Sequence, residues 1–229
     1  MSLPVNTSAP LVSLRQVSKS WTAANLPIPV LNDITLDVNG GESMAVVGPS
    51  GAGKSTLLHI LALLTPVSAG EIWMNGRQLE PRDCWDPGLR RRIGMIFQDG
   101  KLLPNLNVLD NVCVPLVHRG LWPAHQRQQA VAALQEVGLE HRLRHYPNQL
   151  SGGELMRAAI ARVLVMNPQI ILADEPTGTL DSVNGEQIAR LLFDLVTAER
   201  ALVIVTHHEP LAKQASRIIK LKDGRMEHE

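Results

Sequence analysis

The chain has 229 residues, of which 22 are basic and 22 acidic, so its formal net charge is zero. This length suits one large domain, or a core with a subdomain, and a second full domain is not expected. The balanced charge gives no sign of a general attraction to nucleic acid or anionic lipid, and we expect no nucleic-acid partner. Cys84 and Cys113 lie far apart, outside any C-x-x-C pattern, which favours reduced thiols in a cytosolic protein. The longest apolar run, residues 57–64, is far shorter than the roughly 20 residues that cross a bilayer, so work at a membrane would require a partner.

The first part of the chain predicts strands around one glycine-rich loop. Residues 1–10 lack the features of a secretory signal and are expected to form a loose tail. Alternation of apolar and polar residues at 11–17 and 34–38 predicts half-exposed strands that flank a loop at 23–29. The unbroken apolar run 44–47 predicts a strand covered on both faces. The other elements predicted here are a helix from Gly53 to about Leu64, a strand at 71–74 before an Asn75-Gly76 turn, and a strand at 92–97.

After residue 98 the pattern becomes mainly helical and then alternates. Residues 99–165 predict an insert with helices at 108–118, broken or kinked at Pro115, at 123–137, and from near Gly152. Beyond the insert we predict, in order, a strand at 170–173, a helix at 182–197, a strand at 201–205 and a closing hairpin at 218–221 and 225 onward around an Asp223-Gly224 turn. The chain is thus expected to be a single domain, residues 1–229, with a core at 11–98 and 166–229, which includes a β-subdomain, and a helical subdomain at 99–165.

Residues 48–56 carry the spacing G-x-x-x-x-G-K-[ST] directly after a short apolar strand. Small residues let successive backbone N–H groups point inward, and the following helix presents its N-terminus to the same place, which favours a polyphosphate. Lys54 would reach the outer phosphates, while the Ser55 hydroxyl would bind the Mg²⁺ that travels with them. An ordinary glycine turn before a helix is the alternative. The predicted phosphate-binding residues are Gly48, Pro49, Ser50, Gly51, Ala52, Gly53, Lys54, Ser55 and Thr56.

Two carboxylates follow the apolar strand at 170–173. Ligands bind at the carboxyl ends of the strands in an open α/β sheet, so Asp174 would hold Mg²⁺ directly or through water. Glu175 could accept a proton from an attacking water as a general base. The alternative is a pair of acidic residues that end a strand at the surface.

Residues 150–154 form the most discriminating stretch. Gly152 and Gly153 follow Ser151, so they expose backbone N–H groups at the start of a helix and create a second phosphate-facing site that the first nucleotide does not need. A serine cap before a glycine turn is the alternative. With Glu154, this stretch resembles the signature motif of the ATP-binding cassette (ABC) ATPases, and the resemblance covers essentially the whole chain. It implies an α/β fold, a P-loop NTPase of ABC type with a mostly parallel sheet core, an antiparallel β-subdomain and a helical subdomain, which binds ATP and Mg²⁺.

The resemblance also assigns four isolated residues. Gln98 matches the Q-loop, which contacts Mg²⁺ or the attacking water and hinges the helical subdomain. His207 matches the switch histidine that contacts the γ-phosphate, and Asp181 matches the D-loop, which crosses the dimer interface. Trp21 stands where the family has an aromatic that stacks on adenine, a role that an indole can fill.

Other interpretations of these residues stay open. Trp21 could simply pack on the surface, and His207 with His208 could be a solvated pair or a weak metal site. The residues at 155–156 and Thr179 depart from the family's usual choices, which leaves details of the dimer interface in doubt but removes no catalytic group.

Within the family, residues 103–112 and 174–178 resemble the corresponding stretches of the ATPase subunits in the macrolide-efflux and lipoprotein-releasing group. This resemblance implies that two copies sandwich two ATP molecules head to tail. It also implies a separate membrane permease that contacts the surface around residues 99–118, with export or mechanical transmission as the output. The chain would then be cytoplasmic and peripheral on the inner face of the cell membrane. An importer of polar amino acids, a non-transport ABC ATPase and a P-loop kinase are the alternatives.

Overall fold

The computed structural model describes residues 9–23, 26–117 and 123–227. Its elements form two sheets and a group of helices. In chain order they are β1 (Val12–Ala23), β2 (Leu26–Val38), β3 (Ser43–Val47), α1 (Lys54–Leu61), β4 (Ala69–Met74), β5 (Arg77–Leu79), α2 (Pro87–Arg90), β6 (Ile93–Ile96), α3 (Val108–Val117), α4 (Pro123–Glu136), α5 (Gly152–Leu164), β7 (Ile170–Asp174), α6 (Ser182–Asp194), β8 (Ala201–Val205), α7 (Glu209–Ala212), β9 (Arg217–Lys222) and β10 (Arg225–Glu227).

A six-stranded sheet in the order β10-β9-β3-β8-β7-β6 forms the centre. All its strands are parallel except β10, which pairs antiparallel with β9 at one edge. Successive residues of a strand face opposite sides of the sheet, and here both sides are covered. Ile170 and Leu172 belong to one core cluster with α1, whereas Ile171 and Ala173 belong to a second cluster with the helices on the other side. This arrangement explains the unbroken apolar runs at 44–47 and 170–173 and agrees with the prediction for both strands.

A second sheet, in the order β2-β1-β4-β5, is antiparallel throughout. The β1–β2 pairing runs from Val12 and Val38 to Ala23 and Leu26. The prediction of a loop at 23–29 is therefore wrong, because residues 26–29 lie in β2. Pro27 and Pro29 argue against a strand because proline has no N–H for the sheet. However, β2 lies at the edge of its sheet, where missing N–H groups are tolerated.

Two predicted turns have the backbone that their residues favour. Asn75 and Gly76 have φ angles of 49° and 77° between β4 and β5, and Asp223 and Gly224 have φ angles of 48° and 74° between β9 and β10. Two successive positive φ angles are what a tight type I′ hairpin turn requires.

The long helices α3, α4 and α5 lie between residues 108 and 164, within the insert predicted from its helical pattern. Helix α3 continues through Pro115, and residue 118 of the predicted helix lies outside the described residues. The buried Asn111 donates hydrogen bonds to the carbonyls of Leu103, Leu106 and Asn107, so it fixes the loop before α3 to that helix. The boundaries of the two subdomains stay a prediction.

Two helices are shorter than their apolar patterns suggested. Helix α1 ends at Leu61, and Leu63 has a left-handed φ angle of 55°, which stops the helix before the predicted end near Leu64. Helix α6 ends at Asp194 rather than at residue 197. The short helices α2 and α7 were not predicted, because four residues carry no readable helical period.

Candidate nucleotide-binding and catalytic site

The glycine-rich loop joins β3 to α1 and is packed from behind by β2 and β9. A Cβ on Gly48 would run into the carbonyl oxygen of Leu221, and a Cβ on Gly53 would lie 2.7 Å from Leu31 Cδ2. On the open side, Gly51 has a φ angle of 81° and no heavy atom within 4 Å of where a Cβ would be. The loop is therefore a rigid cradle with free space in front of it, which fits a phosphate group.

Lys54 lies at the mouth of this cradle. Its Nζ donates hydrogen bonds to the carbonyls of Gly48 at 2.8 Å and Pro49 at 2.9 Å. An ammonium group has three N–H donors, so one remains for a phosphate oxygen.

Asp174 ends β7 next to the first turn of α1. The Ser55 hydroxyl hydrogen-bonds its carboxylate. Burial raises the pKa of the Asp174 carboxyl, and the nearby Glu175 charge raises it further, against the opposing effects of Ser55, His59 and Lys54. A bound cation would favour the ionised form and lower this pKa. A half-buried carboxylate beside a hydroxyl provides oxygen ligands of the kind that Mg²⁺ prefers, so the donor set fits this ion.

Glu175 is the first residue after β7, and its side chain is held from two sides. His207 Nδ1 lies 2.7 Å from Glu175 Oε1, and the Thr206 hydroxyl donates to Oε2 at 3.3 Å. The Glu175 side chain is 17% exposed, whereas that of His207 is 73% exposed. The φ angle of Glu175 is 47°, a left-handed conformation that is rare for residues other than glycine and that is concentrated at functional sites. The carboxylate is thus oriented at the strand end where Asp174 also lies.

Gln98 lies beside the turn that follows Glu175. A Cβ placed on Gly178 would lie 3.2 Å from Gln98 Nε2 and 3.6 Å from the Glu175 Cβ. Gln98 and Glu175 therefore both lie next to Gly178. The chain after Gln98 is tied to α5, because the Arg162 guanidinium donates to the carbonyls of Gly100 and Lys101 at 2.7 and 2.6 Å. Movement of α5 would therefore move the segment that follows Gln98.

Trp21 lies on β1, pairs with Ile28 of β2, and is 44% exposed. The Nζ of the buried Lys19 lies 4.4 Å from the centroid of its ring. The indole can therefore present a flat surface to a base.

Ser151 and Glu154 form a reciprocal cap at the start of α5. The Ser151 hydroxyl accepts a hydrogen bond from the Glu154 backbone N–H and donates one to the Glu154 carboxylate, which also accepts one from the Ser151 N–H. Arg142 Nε donates to the same carboxylate at 2.7 Å. These interactions, led by the Ser151 backbone N–H, lower the pKa of Glu154 to about 2. Gly152 is exposed and directly follows the cap.

Asp181 caps α6 next to this corner. It accepts hydrogen bonds from the backbone N–H of Asn184 at 3.0 Å and from Asn184 Nδ2 at 2.6 Å. These bonds lower the pKa of Asp181. Asn184 Oδ1 would lie 2.8 Å from a Cβ on Gly153, so Asp181 and the 151–154 stretch are neighbours. Within the described part of the chain, no hydrogen bond or ion pair connects residues 151–154 to residues 48–56.

The structure thus brings together the glycine-rich loop, Asp174, Glu175, His207 and Gln98, and places Ser151 and Asp181 together at a different corner. Sequence reasoning missed the residues that hold these groups. Sequence reasoning named Ser151 and Glu154 but missed the capping box between them, although their S-x-x-E spacing is a readable signal. The missed residues, for which only the three-dimensional contacts give a signal, are Lys19, Arg142, Arg162, Asn184 and Thr206.

Comparison with known proteins gives the family. Residues 31–178 match the model of the ABC transporter family. The chain belongs to this family. It is 42% identical to the lipoprotein-releasing system ATP-binding protein LolD of Coxiella burnetii, over 97% of each chain. It is 41% identical to the macrolide export ATP-binding/permease protein MacB of Marinobacter nauticus, over 95% of this chain but only 34% of that protein.

Solved structures of ABC cassettes share the fold. The dimeric ATP-binding cassette MJ0796, in a post-hydrolysis state with ADP and Pi, superposes with a TM-score of 0.85 at 38% identity, over 95% of this chain and 97% of that one. The predicted P-loop NTPase fold of ABC type is confirmed, and so are the ATPase activity and the use of ATP with Mg²⁺. No helix among the described residues is both long enough and apolar enough to cross a membrane.

Proposed function

We propose that this chain is the ATP-hydrolysing subunit that powers a separate membrane permease of the lipoprotein-releasing or macrolide-export type. The observation that carries the hydrolytic part is the oriented carboxylate of Glu175 next to Asp174 at the end of β7, with the cradle in front of α1. The match to LolD supports this proposal, because it extends over 97% of a protein named as the ATP-binding protein of a lipoprotein-releasing system. In this arrangement the chain works at the cytoplasmic face of the membrane, where its permease holds it.

The cradle and Lys54 bind the phosphates of ATP. Ser55 and Asp174 hold Mg²⁺, which supplies positive charge to the phosphate oxygens. Lys54 uses its remaining N–H on the outer phosphates, and Gln98 orients the water or the metal ligands from beside Glu175. Trp21 stacks on adenine.

Glu175 acts as the general base for the water that attacks the γ-phosphorus. His207 and Thr206 hold the carboxylate in one orientation, so its free lone pairs point to a fixed place. His207 is exposed, so its ring can also reach the γ-phosphate as charge develops there.

The second half of each site comes from another copy of the chain. Ser151 and Gly152 are exposed at the start of α5, away from the cradle of their own chain, and they are followed by the buried Gly153. Asp181 lies beside them. In a head-to-tail dimer these residues cover the γ-phosphate bound by the partner, and ATP holds the two copies together. The solved structure of the dimeric relative with ADP and Pi supports this arrangement.

Replacement of Glu175 by Gln tests the hydrolytic role. An amide cannot accept the proton, so we expect hydrolysis to fall about 100-fold or more, with ATP still bound. The variant should accumulate as an ATP-bound dimer in size-exclusion chromatography with light scattering. Glu186→Gln, on the exposed face of α6, is the matched control and should hydrolyse ATP normally. Undiminished turnover in Glu175→Gln would refute the assignment.

We further propose that the permease binds in a groove between the β6 edge and α5. The groove has a volume of about 760 Å³ and extends the predicted contact surface at 99–118, which it meets at Pro115. Its apolar wall includes Trp85, which is 64% exposed. Arg90 and Arg162 add two positive charges that, among the described residues, have carbonyl partners but no carboxylate. The groove therefore fits a short amphipathic segment with an acidic residue.

Cross-linking tests this surface. A Trp85→Cys variant should form a cross-link with the permease when the two proteins are co-expressed, because the exposed indole lines the groove. Lys222→Cys, an exposed position on β9, is the control and should not. Equal cross-linking at both positions, or none at Trp85, would rule out the groove as the docking site.

A further inference from the structure

Lys19 is a buried cation in an unusual setting. It lies on β1 two residues before Trp21 and is only 7% exposed. Lysine is rarely buried unless its charge is paired. In the described residues no carboxylate pairs with Lys19 Nζ, which instead donates a 2.8 Å hydrogen bond to the Pro66 carbonyl.

The ring of Trp21, rather than a carboxylate, interacts with the charge of Lys19. Lys19 Nζ lies 4.4 Å from the ring centroid, within the range of a cation–π interaction. The negative face of the indole partly compensates the charge. The Pro66 carbonyl accepts one hydrogen bond from the ammonium group. Pro66 follows α1 by a few residues, so Lys19 connects the β1–β2 hairpin to the end of the helix that begins at the phosphate cradle.

We propose that Lys19 is a positioning residue for nucleotide recognition, which holds Trp21 in the orientation that stacks on the base. The cation covers one face of the indole, which leaves the opposite face for adenine. Through its hydrogen bond to Pro66, Lys19 connects Trp21 to the segment that follows α1, the helix that begins at the phosphate cradle. Lys19 acts through Trp21 and touches neither the phosphates nor the attacking water. The proposal rests on the proposed function, because it requires that Trp21 stacks on adenine.

A double-mutant cycle on MgADP binding tests the proposal. ADP is the suitable probe because its binding requires neither hydrolysis nor a dimer. In the full chain, Lys19→Met keeps the length of the side chain but removes the charge and the donor. We expect its Kd for ADP to rise about fivefold, as loss of a moderately strong cation–π contact predicts. In a Trp21→Ala background the same change should have no further effect, because the residue through which Lys19 acts is gone. Lys19→Arg keeps a cation over the ring and should stay within about twofold of the unmodified chain.

Binding of Mg-pyrophosphate separates positioning from a general structural role. This probe uses the cradle but has no base, so its Kd should not change in Lys19→Met. If the lost Pro66 contact disturbed α1 and the loop, pyrophosphate and ADP would weaken together, and this result would overturn the proposal. If Lys19→Met folds poorly, Lys19→Arg still tests the proposal, because its ADP-to-pyrophosphate affinity ratio must stay close to that of the unmodified chain.

Three further outcomes are decisive. Tighter ADP binding in Lys19→Met would mean that the lysine occupies the face that adenine needs, which contradicts the proposal. Unchanged ADP binding in Trp21→Ala would remove the stacking role of Trp21 itself, and with it the premise from the proposed function. A loss in Trp21→Ala without any loss in Lys19→Met would overturn only the role of Lys19.

Discussion

The capping box of Ser151 and Glu154 bears on the role that we propose for Ser151 at the partner's nucleotide. The Ser151 hydroxyl donates its only proton to the Glu154 carboxylate, which stays ionised because its pKa is lowered to about 2. To donate to a phosphate of the partner, this hydroxyl must turn away from Glu154. The cap would not collapse, because the Ser151 N–H and Arg142 still bind the carboxylate. Glu154 therefore stabilises the start of α5 in its own chain. Its direct contact with nucleotide stays a prediction.

At the same scale, the sequence predicted which residues lie in the site, but it did not predict which neighbours hold them in place. The Asp174-Glu175 pair stands out because two carboxylates follow an apolar run, and the structure places both at the predicted strand end. Nothing in the local pattern shows that Thr206, the residue after β8, holds Glu175, or that Glu175 has a left-handed φ angle. Such contacts join residues about thirty positions apart, and they depend on the order of the strands in the sheet.

Among the elements, the β9–β10 turn braces the phosphate loop. Gly224 donates its N–H to the Ala52 carbonyl at 3.2 Å and accepts the Asn32 N–H at 2.8 Å. A Cβ at this position would collide with the Val30 carbonyl. The turn thus lies against both β2 and the cradle, with no room for a side chain.

Gly224→Ala should therefore weaken both the fold and nucleotide binding. A positive φ costs alanine about 1 kcal/mol, and forced overpacking adds about 1–3 kcal/mol. Gly138→Ala is the matched control, because Gly138 has a φ angle of 68° but nothing within 4 Å of its would-be Cβ. The control should lose only the roughly 1 kcal/mol of stability that a positive φ angle costs alanine, and it should keep its ADP affinity. Urea unfolding and ADP titration of both variants measure the difference, and equal losses would show that the contact with Val30 and Ala52 has no role.

The sequence predicted those strands and turns whose own residues carry the signal. The alternating and apolar strands, and the two turns with Asn-Gly and Asp-Gly, lie where their residues indicate. The loop predicted at 23–29 was wrong because Pro27 and Pro29 are breakers in isolation. Only the position of β2 at the sheet edge makes them acceptable there.

In the whole molecule, the two regions that we propose to form the composite site lie apart within one chain. The cradle with Lys54 lies at the end of β3, and the Ser151–Gly152 corner lies at the start of α5. In the proposed two-fold dimer each cradle faces the partner's corner, because a contact of residue i with residue j of the partner is then repeated as j with i. One defect in each copy would therefore leave one intact site in a mixed dimer.

Complementation between two inactive variants tests this arrangement in the Glu175→Gln background. Lys54→Met should abolish ATP binding, and Gly152→Asp should place a negative charge against the partner's γ-phosphate. Aspartate is compatible with the start of a helix, so α5 should still form. Each variant alone should stay monomeric with ATP, whereas an equal mixture should form dimers with about one ATP per dimer, measured by light scattering and nucleotide content. Gly152→Ala, which adds no charge and meets only Leu180 Cδ2 at 3.0 Å, should dimerise without a partner variant. A mixture that remains monomeric while the Gly152→Ala control dimerises would exclude the head-to-tail composite site.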